Sequence, residues 1–368
     1  MDKEQYMRRA IELAKQGEGH TSPNPMVGCV VVKDGEIISE GYHEKYGEYH
    51  AERNALLKCG EEARGAALYV TLEPCCHYGK TPPCTEIIMA KGIKKVYVGS
   101  MDNNPLVGGK GVQILRDHGI EVETGILEAE CRAMNEVFFH FMETKRPYVV
   151  MKYAMTLDGK IACATGDSKW VTGEEARRYV HHLRKKYMGI MAGIGTVLED
   201  DPMLNCRIED GVDPIRIICD SELRIPLDCQ LVETAKDIPL IVACREDLIC
   251  EESQKEKAEA LQKAGVTIIA TSGTNGVNLE ELLEKLGEQG IDSILLEGGG
   301  TLNASMLEAG LVDKVYAHIA GKLVGGKDAK SPVEGVGIAY MKDAVQLCDM
   351  QVEKIGEDIC ISGHVRKS

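Results

Sequence analysis

The chain has no run approaching the ~18 consecutive apolar residues that a membrane span needs. Its start, Met1-Asp2-Lys3-Glu4-Gln5-Tyr6-Met7-Arg8-Arg9, carries no apolar stretch of the kind that directs export. A cytoplasmic protein with no membrane partner is therefore expected. Positive charge is in deficit, with 43 Lys and Arg against 58 Asp and Glu, a formal charge of −15. The shortfall holds on both sides of Arg146: 18 basic and 22 acidic residues up to it, 25 and 36 beyond it. Proteins that bind polynucleotides neutralise several phosphates and show it in their charge. No nucleic acid is expected as a partner, and a small-molecule substrate is favoured. Proline is scarce, 12 residues against 39 glycines, and no internal repeat or low-complexity tract is present. With 44% hydrophobic and 27% charged residues, the composition excludes disorder. A length of 368 residues favours two domains over one.

Cysteine, by contrast, is plentiful, with 14 residues scattered from Cys29 to Cys360. Without an export signal most are expected to be reduced thiols packed as small hydrophobes, the exceptions being those with ligand spacing. Up to residue 145, apolar runs at Met26 to Val32, Ala67 to Leu72 and Lys94 to Val98 read as buried strands. Helical patterns run from Glu4 to Lys15, Glu52 to Lys58, Thr85 to Lys91 and Leu127 to Glu143. Pro147 disfavours helix at Arg146, which places a boundary there and predicts domains of 1–145 and 147–368. The second part repeats the rhythm, with strands at Pro147 to Ala154, Gly189 to Ala192, Ile215 to Asp220, Pro239 to Ala243, Val266 to Thr271, Ser293 to Leu296 and Lys314 to Ile319, and a further one near the C-terminus. Its helices are expected at Glu174 to Lys186, Glu251 to Ala264 and Leu279 to Gln289. Such alternation predicts an α/β fold of parallel strands joined by covering helices.

His50-Ala51-Glu52 opens a helical segment, and Pro74-Cys75-Cys76-His77-Tyr78-Gly79-Lys80-Thr81-Pro82-Pro83-Cys84 follows. Zinc prefers imidazole and thiolate, and a catalytic site uses three protein ligands with a fourth position open. His50, Cys75 and Cys84 supply that set, and the helical stretches after His50 and Cys84 would stabilise thiolate charge. Glu52 falls beside the metal without being needed as a ligand. Its expected role is to take a proton from water, pass it to a ring nitrogen and protonate departing ammonia. A structural zinc site would instead close with a fourth ligand, Cys76 or His77. Lys80, taken alone, is a solvated charge or a phosphate contact.

In the second part, Lys152 to Ala162 reads as a strand running into a turn, with Asp158-Gly159 as turn-former. Ser168-Lys169-Trp170, Gly193-Ile194-Gly195-Thr196 through Asp200, and Glu297-Gly298-Gly299-Gly300-Thr301-Leu302 follow. A triple glycine after an apolar strand and before a helix lets backbone N–H groups approach an anion, or is merely a tight turn. It has neither the Rossmann nor the P-loop spacing.

The order H-x-E, P-C, C is the signature of zinc nucleobase deaminases. With eight residues between the cysteines, and Ser22-Pro23-Asn24-Pro25-Met26-Val27-Gly28 upstream, the segment resembles the deaminase domain of the bifunctional riboflavin-biosynthesis deaminase/reductase family. The later motifs resemble that family's reductase domain, so the resemblance covers nearly the whole chain. It implies a cytidine-deaminase-like α/β/α layered domain followed by a dihydrofolate-reductase-like α/β domain, with Zn2+ and NADPH as cofactors and a homo-oligomer as the assembly. By motif match, His50, Cys75 and Cys84 would hold zinc and Glu52 would move the proton. Asn24, His43, His77 and Lys80 would contact the pyrimidine ribose phosphate. Ala154, Trp170, Thr196, Asp200 and Gly299, Gly300, Thr301, Leu302, Asn303, Ala304 and Ser305 would line the NADPH site. Ser168, Arg184, Leu204, Arg207 and Glu297 would hold the ribosylamino substrate, with Arg184 and Arg207 suited to its phosphate. The ring oxygen must gain a proton as hydride arrives, for which Lys152 and Asp200 are the candidates. Where family members commonly read Asp-Pro-Asn-Pro, this chain reads Asp102-Asn103-Asn104-Pro105, which predicts a slightly looser loop. Competing expectations are a nucleic-acid editing deaminase fused to a binding module, and a catalytically silent zinc-stabilised scaffold.

Overall fold

Alternation along the strands decides the architecture of the first compact unit, Met1–Lys145. In strand β1 (Gly28–Lys33), Cys29 and Val31 face one side, where they join Leu68, Val70 and Leu72 of β3 (Ala67–Leu72) and Val96 and Val98 of β4 (Lys95–Ser100). Val30 and Val32, with Tyr69 and Tyr97, face the other and pack against Tyr6, Met7 and Ala10 of the helix Lys3–Ala14. A sheet apolar on both faces must be covered on both, and the result is a three-layer α/β/α unit. The strand β2 (Glu36–Tyr42) and the short β5 (Glu121–Thr124) complete the order β2-β1-β3-β4-β5. The computed structural model describes residues 2–104, 107–249 and 252–367.

The second unit, Arg146–Ser368, is built on one nine-stranded sheet. Its strands are β6 (Tyr148–Thr156), β7 (Gly189–Gly193), β8 (Ile215–Cys219), β9 (Leu240–Arg245), β10 (Thr267–Thr271), β11 (Ser293–Leu296), β12 (Lys314–Ala320), β13 (Leu347–Ile355) and β14 (Asp358–Val365). The order is β10-β9-β8-β7-β11-β6-β12-β14-β13. Ile190 and Ala192 of β7 face one core while Met191 faces the other, and β8 and β9 divide their residues in the same way. Arg216 of β8 is wholly buried, with its guanidinium donating to the carbonyls of Leu231, Thr234 and Ile238.

The expectation of uniformly parallel strands needs correction. Seven strands of the second sheet are parallel, but β12–β14 and β14–β13 are antiparallel, as are β1–β2 and β1–β3 in the first unit. Short hairpins join β1 to β2 and β13 to β14, the first at Asp34-Gly35, where both residues have positive φ. The single helix expected over Leu127 to Glu143 is two, Glu128–Met134 and Glu136–Thr144. The break falls at Asn135, whose side chain bonds both the N–H and the C=O of Met26 at 2.9 Å. The helix expected from Glu251 runs over Glu252–Lys263, and Glu251 itself, like Pro105 of the Asp102 loop, lies outside the described residues. Among the described residues no helix is long and apolar enough to cross a membrane, and the described cysteines are all free.

Candidate active sites

Two helix N-termini and the end of one strand converge in the first unit. His50 caps the helix Ala51–Lys58 with extended backbone, Cys84 opens the helix Cys84–Ala90, and Cys75 follows β3 by way of Glu73-Pro74. The His50 Nδ1 lies 3.4 Å from the Cys75 Sγ and 3.6 Å from the Cys84 Sγ, and one ligand atom from each of the three residues lies within 4.8 Å of the others. Tetrahedral zinc, with Zn–S about 2.3 Å and Zn–N about 2.0–2.1 Å, would place such atoms about 3.6 Å apart. The residues therefore fit the ion. Neither Cys76 nor His77 joins the cluster, which leaves the fourth position open and disfavours a closed structural site. The side-chain hydrogen bond between the two thiols lowers the pKa of Cys75, and the same bond, with burial, raises that of Cys84. Glu52, in the first turn after His50, is 3% exposed, and burial together with the charge of Cys75 pushes its carboxyl up to about 7.

A cavity of ≈ 240 Å³ opens over this cluster. It is lined by His50, Glu52 and Cys75 on one side and by Asn24, His43, His77, Lys80, Asp102 and Asn104 among others. All four substrate residues expected from the sequence are thus brought together. His43 donates from Nδ1 to the Tyr49 carbonyl at 3.1 Å, so its Nε2 accepts from Asn24 at 3.2 Å, and burial keeps the ring neutral by lowering its pKa. Lys80 rests its ammonium over the Tyr46 ring at 3.8 Å. The Nδ1 of His77 is buried without a partner.

In the second unit a cavity of ≈ 820 Å³ lies where β6, β7, β8 and β11 end, the carboxyl edge at which open parallel sheets bind ligands. Lys152, Ala154, Ser168, Thr196, Asp200, Glu297, Gly299, Gly300, Thr301, Leu302 and Ser305 line it. Gly299 precedes the helix Gly300–Glu308, and nothing lies within 4 Å of where its Cβ would stand, so ligand can approach the helix N-terminus there. Gly300 is glycine for packing, since a Cβ would meet the Ser331 carbonyl at 2.5 Å. Volume, glycine opening and helix terminus fit a dinucleotide. Asn303 and Ala304 turn into the core instead, and Leu204 packs in the core with positive φ. Trp170 is not a core residue: it is 62% exposed, under the Arg177 guanidinium and outside the cavity lining. Asp158 is the turn-former expected, accepting from the N–H of Gly325 at 2.6 Å. The sequence reading passed over Ser221, Arg224 and Lys330, which also line the cavity. Their position just beyond an apolar strand end was the available signal for the first two.

Glu297 is the electrostatic centre of this site. It accepts from Arg184 at 2.8 and 3.1 Å and from Lys152 at 3.3 Å, with all three side chains about a tenth exposed. Burial would raise its carboxyl, but the charges of Arg184 and Lys152 outweigh burial and hold it well below the ordinary range. Arg184 also donates to the Asn205 carbonyl at 2.9 Å, so its guanidinium is already engaged, whereas Arg207 is exposed. Glu297→Ala strands two buried cations and is expected to cost the second unit roughly 3–5 kcal/mol, read as a lowered unfolding midpoint. Because the folded carboxyl titrates below its unfolded value of about 4.3, the stabilisation is present above that pH and drains as pH falls through the folded value. The advantage of wild type over Glu297→Gln should therefore shrink on acidification below pH about 4.

The chain's residues 1–100 match the cytidine and deoxycytidylate deaminase zinc-binding region, and residues 147–361 match the RibD C-terminal domain. Fold and sites thus define a class, a two-unit enzyme with a zinc-dependent deaminase first and a reductase second. The riboflavin biosynthesis protein RibD of Actinobacillus pleuropneumoniae is 56% identical over 97% of this chain and 93% of that protein. Its counterpart in Bacillus amyloliquefaciens is 45% identical over 97% and 94%. Among solved structures, RibD of Acinetobacter baumannii superposes with a TM-score of 0.88, 39% identity and 99% coverage of both chains. A deaminase/reductase of Thermotoga maritima gives 0.84 at 38% identity over 99% and 98%. The chain belongs to the RibD family, the bifunctional deaminase/reductases of riboflavin biosynthesis. Zinc and NADPH are the cofactors of such an enzyme.

Proposed function

We propose that the first unit deaminates 2,5-diamino-6-ribosylamino-4-pyrimidinone 5′-phosphate and the second reduces the ribosyl group of the product to ribityl, with the residues above in the following roles. The observation that carries the deaminase half is the open three-ligand cluster with buried Glu52 beside it. His50, Cys75 and Cys84 would hold zinc, which when bound would supply the Lewis acidity that makes water a nucleophile near neutral pH. The Glu52 carboxylate would take one proton of the attacking water and deliver it to a ring nitrogen, then take the second from the hydroxyl so formed on the ring carbon and pass it to the amine that leaves as ammonia. Asn24, its amide nitrogen engaged by His43, keeps its oxygen for the pyrimidine amino groups. His77 offers a ring nitrogen within the same cavity, and Lys80 on the rim suits the phosphate.

The larger cavity would hold NADPH, which when bound would supply the hydride. Thr196 and the N-terminus of the helix Gly300–Glu308 would carry its phosphates, and Arg224, beyond the end of β8, its additional one. Lys152 is the donor that protonates the ring oxygen as the sugar opens, held in place by Glu297. Asp200 is the weaker candidate, since it sits at the exposed end of the helix Ile194–Asp200, 3.5 Å from Lys169. Ser168 and Arg207 are left to hold the substrate, Arg207 for its phosphate. Nucleic acid has no place in this reading, given the net charge of −15. A cytoplasmic setting is supported by the free thiols, and a homo-oligomer by exposed Met350 and Val352 on the outermost strand, β13.

Cys84→Ala is expected to lose bound zinc and deamination together while reduction of pre-deaminated substrate persists. Metal analysis and separate assays of the two steps check this, and full deamination by a zinc-free variant would remove the metal from the reading.

A further inference from the structure

One buried carboxylate beside the metal cluster takes no part in the chemistry above. Glu73 is the residue between the end of β3 and Pro74-Cys75, and it is 3% exposed. Its Oε2 accepts from the backbone N–H of Gly109 at 2.9 Å and of Asp102 at 3.4 Å, and its Oε1 from that of Val112 at 3.1 Å. Gly109 and Val112 are the N-cap and third residues of the helix Lys110–Asp117, so the carboxylate meets the positive end of that helix. Charge-assisted bonds of this kind are the strong ones, and burial makes their loss costly.

The donors share a further property. Asp102 and Gly109 bracket the segment whose Asp102, Asn104 and Val107 line the deaminase cavity. Asp102 in turn accepts from the Asn104 N–H at 2.8 Å, which fixes the turn between them. On the other side of the same contact, a Cβ on Gly111 would lie 2.1 Å from the Pro74 carbonyl oxygen, so the helix is seated directly against the residue preceding Cys75. The side chain of Glu73 therefore joins two pieces of chain: one carrying a metal ligand, the other carrying polar groups that face the substrate.

We propose that Glu73 is a positioning residue of the deaminase, setting the spacing between the metal-ligand segment at Cys75 and the substrate-facing segment at Asp102 and Asn104. The proposal rests on the deaminase reading of this cavity. Glutamine keeps the size of Glu73 but replaces one accepting oxygen with a donor, so at least one buried N–H is left facing another donor. Leaving a buried donor unpaired is worth about tenfold or more in an equilibrium.

The test is steady-state kinetics of the full-length, zinc-loaded Glu73→Gln variant with the diaminopyrimidine ribose phosphate, beside zinc content and reduction of pre-deaminated substrate. The expected result is a KM for deamination raised about tenfold or more, a smaller change in kcat, wild-type zinc content and unchanged reduction. Gly111→Ala, which pushes the same two segments apart from the helix side, is expected to raise KM in the same way. A residue that merely supports folding would lower zinc content and kcat in proportion and leave KM unaltered. That pattern, or wild-type KM in both variants, would overturn the proposal. Absence of deamination by the wild-type enzyme would instead defeat the reading on which it rests.

Discussion

Glu52→Gln is expected to reduce deamination by roughly 10²–10⁴-fold while leaving bound zinc and the reductase step at wild-type levels. The residue is not among the three ligands and is buried in the first turn after His50. Glutamine preserves its volume and its hydrogen-bonding oxygen but cannot accept and return a proton. If the carboxylate only supported the fold, the amide would serve nearly as well and the rate would barely change. Zinc analysis and separate measurement of the two steps distinguish these cases, and deamination at the wild-type rate would remove Glu52 from the chemistry.

Lys152→Met carries the second large effect, on the other reaction. The ammonium of Lys152 lines the larger cavity and is held in place 3.3 Å from Glu297. As hydride reaches the sugar carbon, the ring oxygen becomes basic and needs a proton at that moment. Removing the donor is expected to slow reduction by roughly 10²–10⁴-fold, with NADPH affinity, read by titration calorimetry, unchanged. Asp200→Asn should slow it less than about tenfold, because Asp200 is 42% exposed in its side chain and paired with Lys169. The reverse ranking would move the proton donor to Asp200.

The candidate metal site was legible in the sequence because few residue types bind zinc and their spacing pointed to one place: His50, Glu52, Cys75 and Cys84 do lie together. The strand Glu36–Tyr42 was missed, although Asp34-Gly35 before it is a hairpin signal. Its charged, half-exposed residues hid the strand pattern. The break at Asn135 was not legible at all, since its partner, Met26, lies 109 residues away. Glu73 escaped for the same reason, its donors being 29 to 39 residues further along the chain. In the second unit the glycine run pointed to the right strand end. A helical run such as Gly300 to Ser305, however, cannot present every residue to one cavity, and Asn303 and Ala304 face inward as the 3.6-residue period requires. Arg184 read as a phosphate ligand because a bidentate cation suits one. Only the fold shows that Glu297, 113 residues on, already occupies it.

The most direct test of the two-step account is mass spectrometry of the products formed from the diaminopyrimidine ribose phosphate, with and without NADPH. The account predicts exchange of one amino group for oxygen without cofactor, and a further gain of two hydrogens only when NADPH is present. Deamination that is never followed by reduction, or an unchanged substrate in the absence of NADPH, would contradict it.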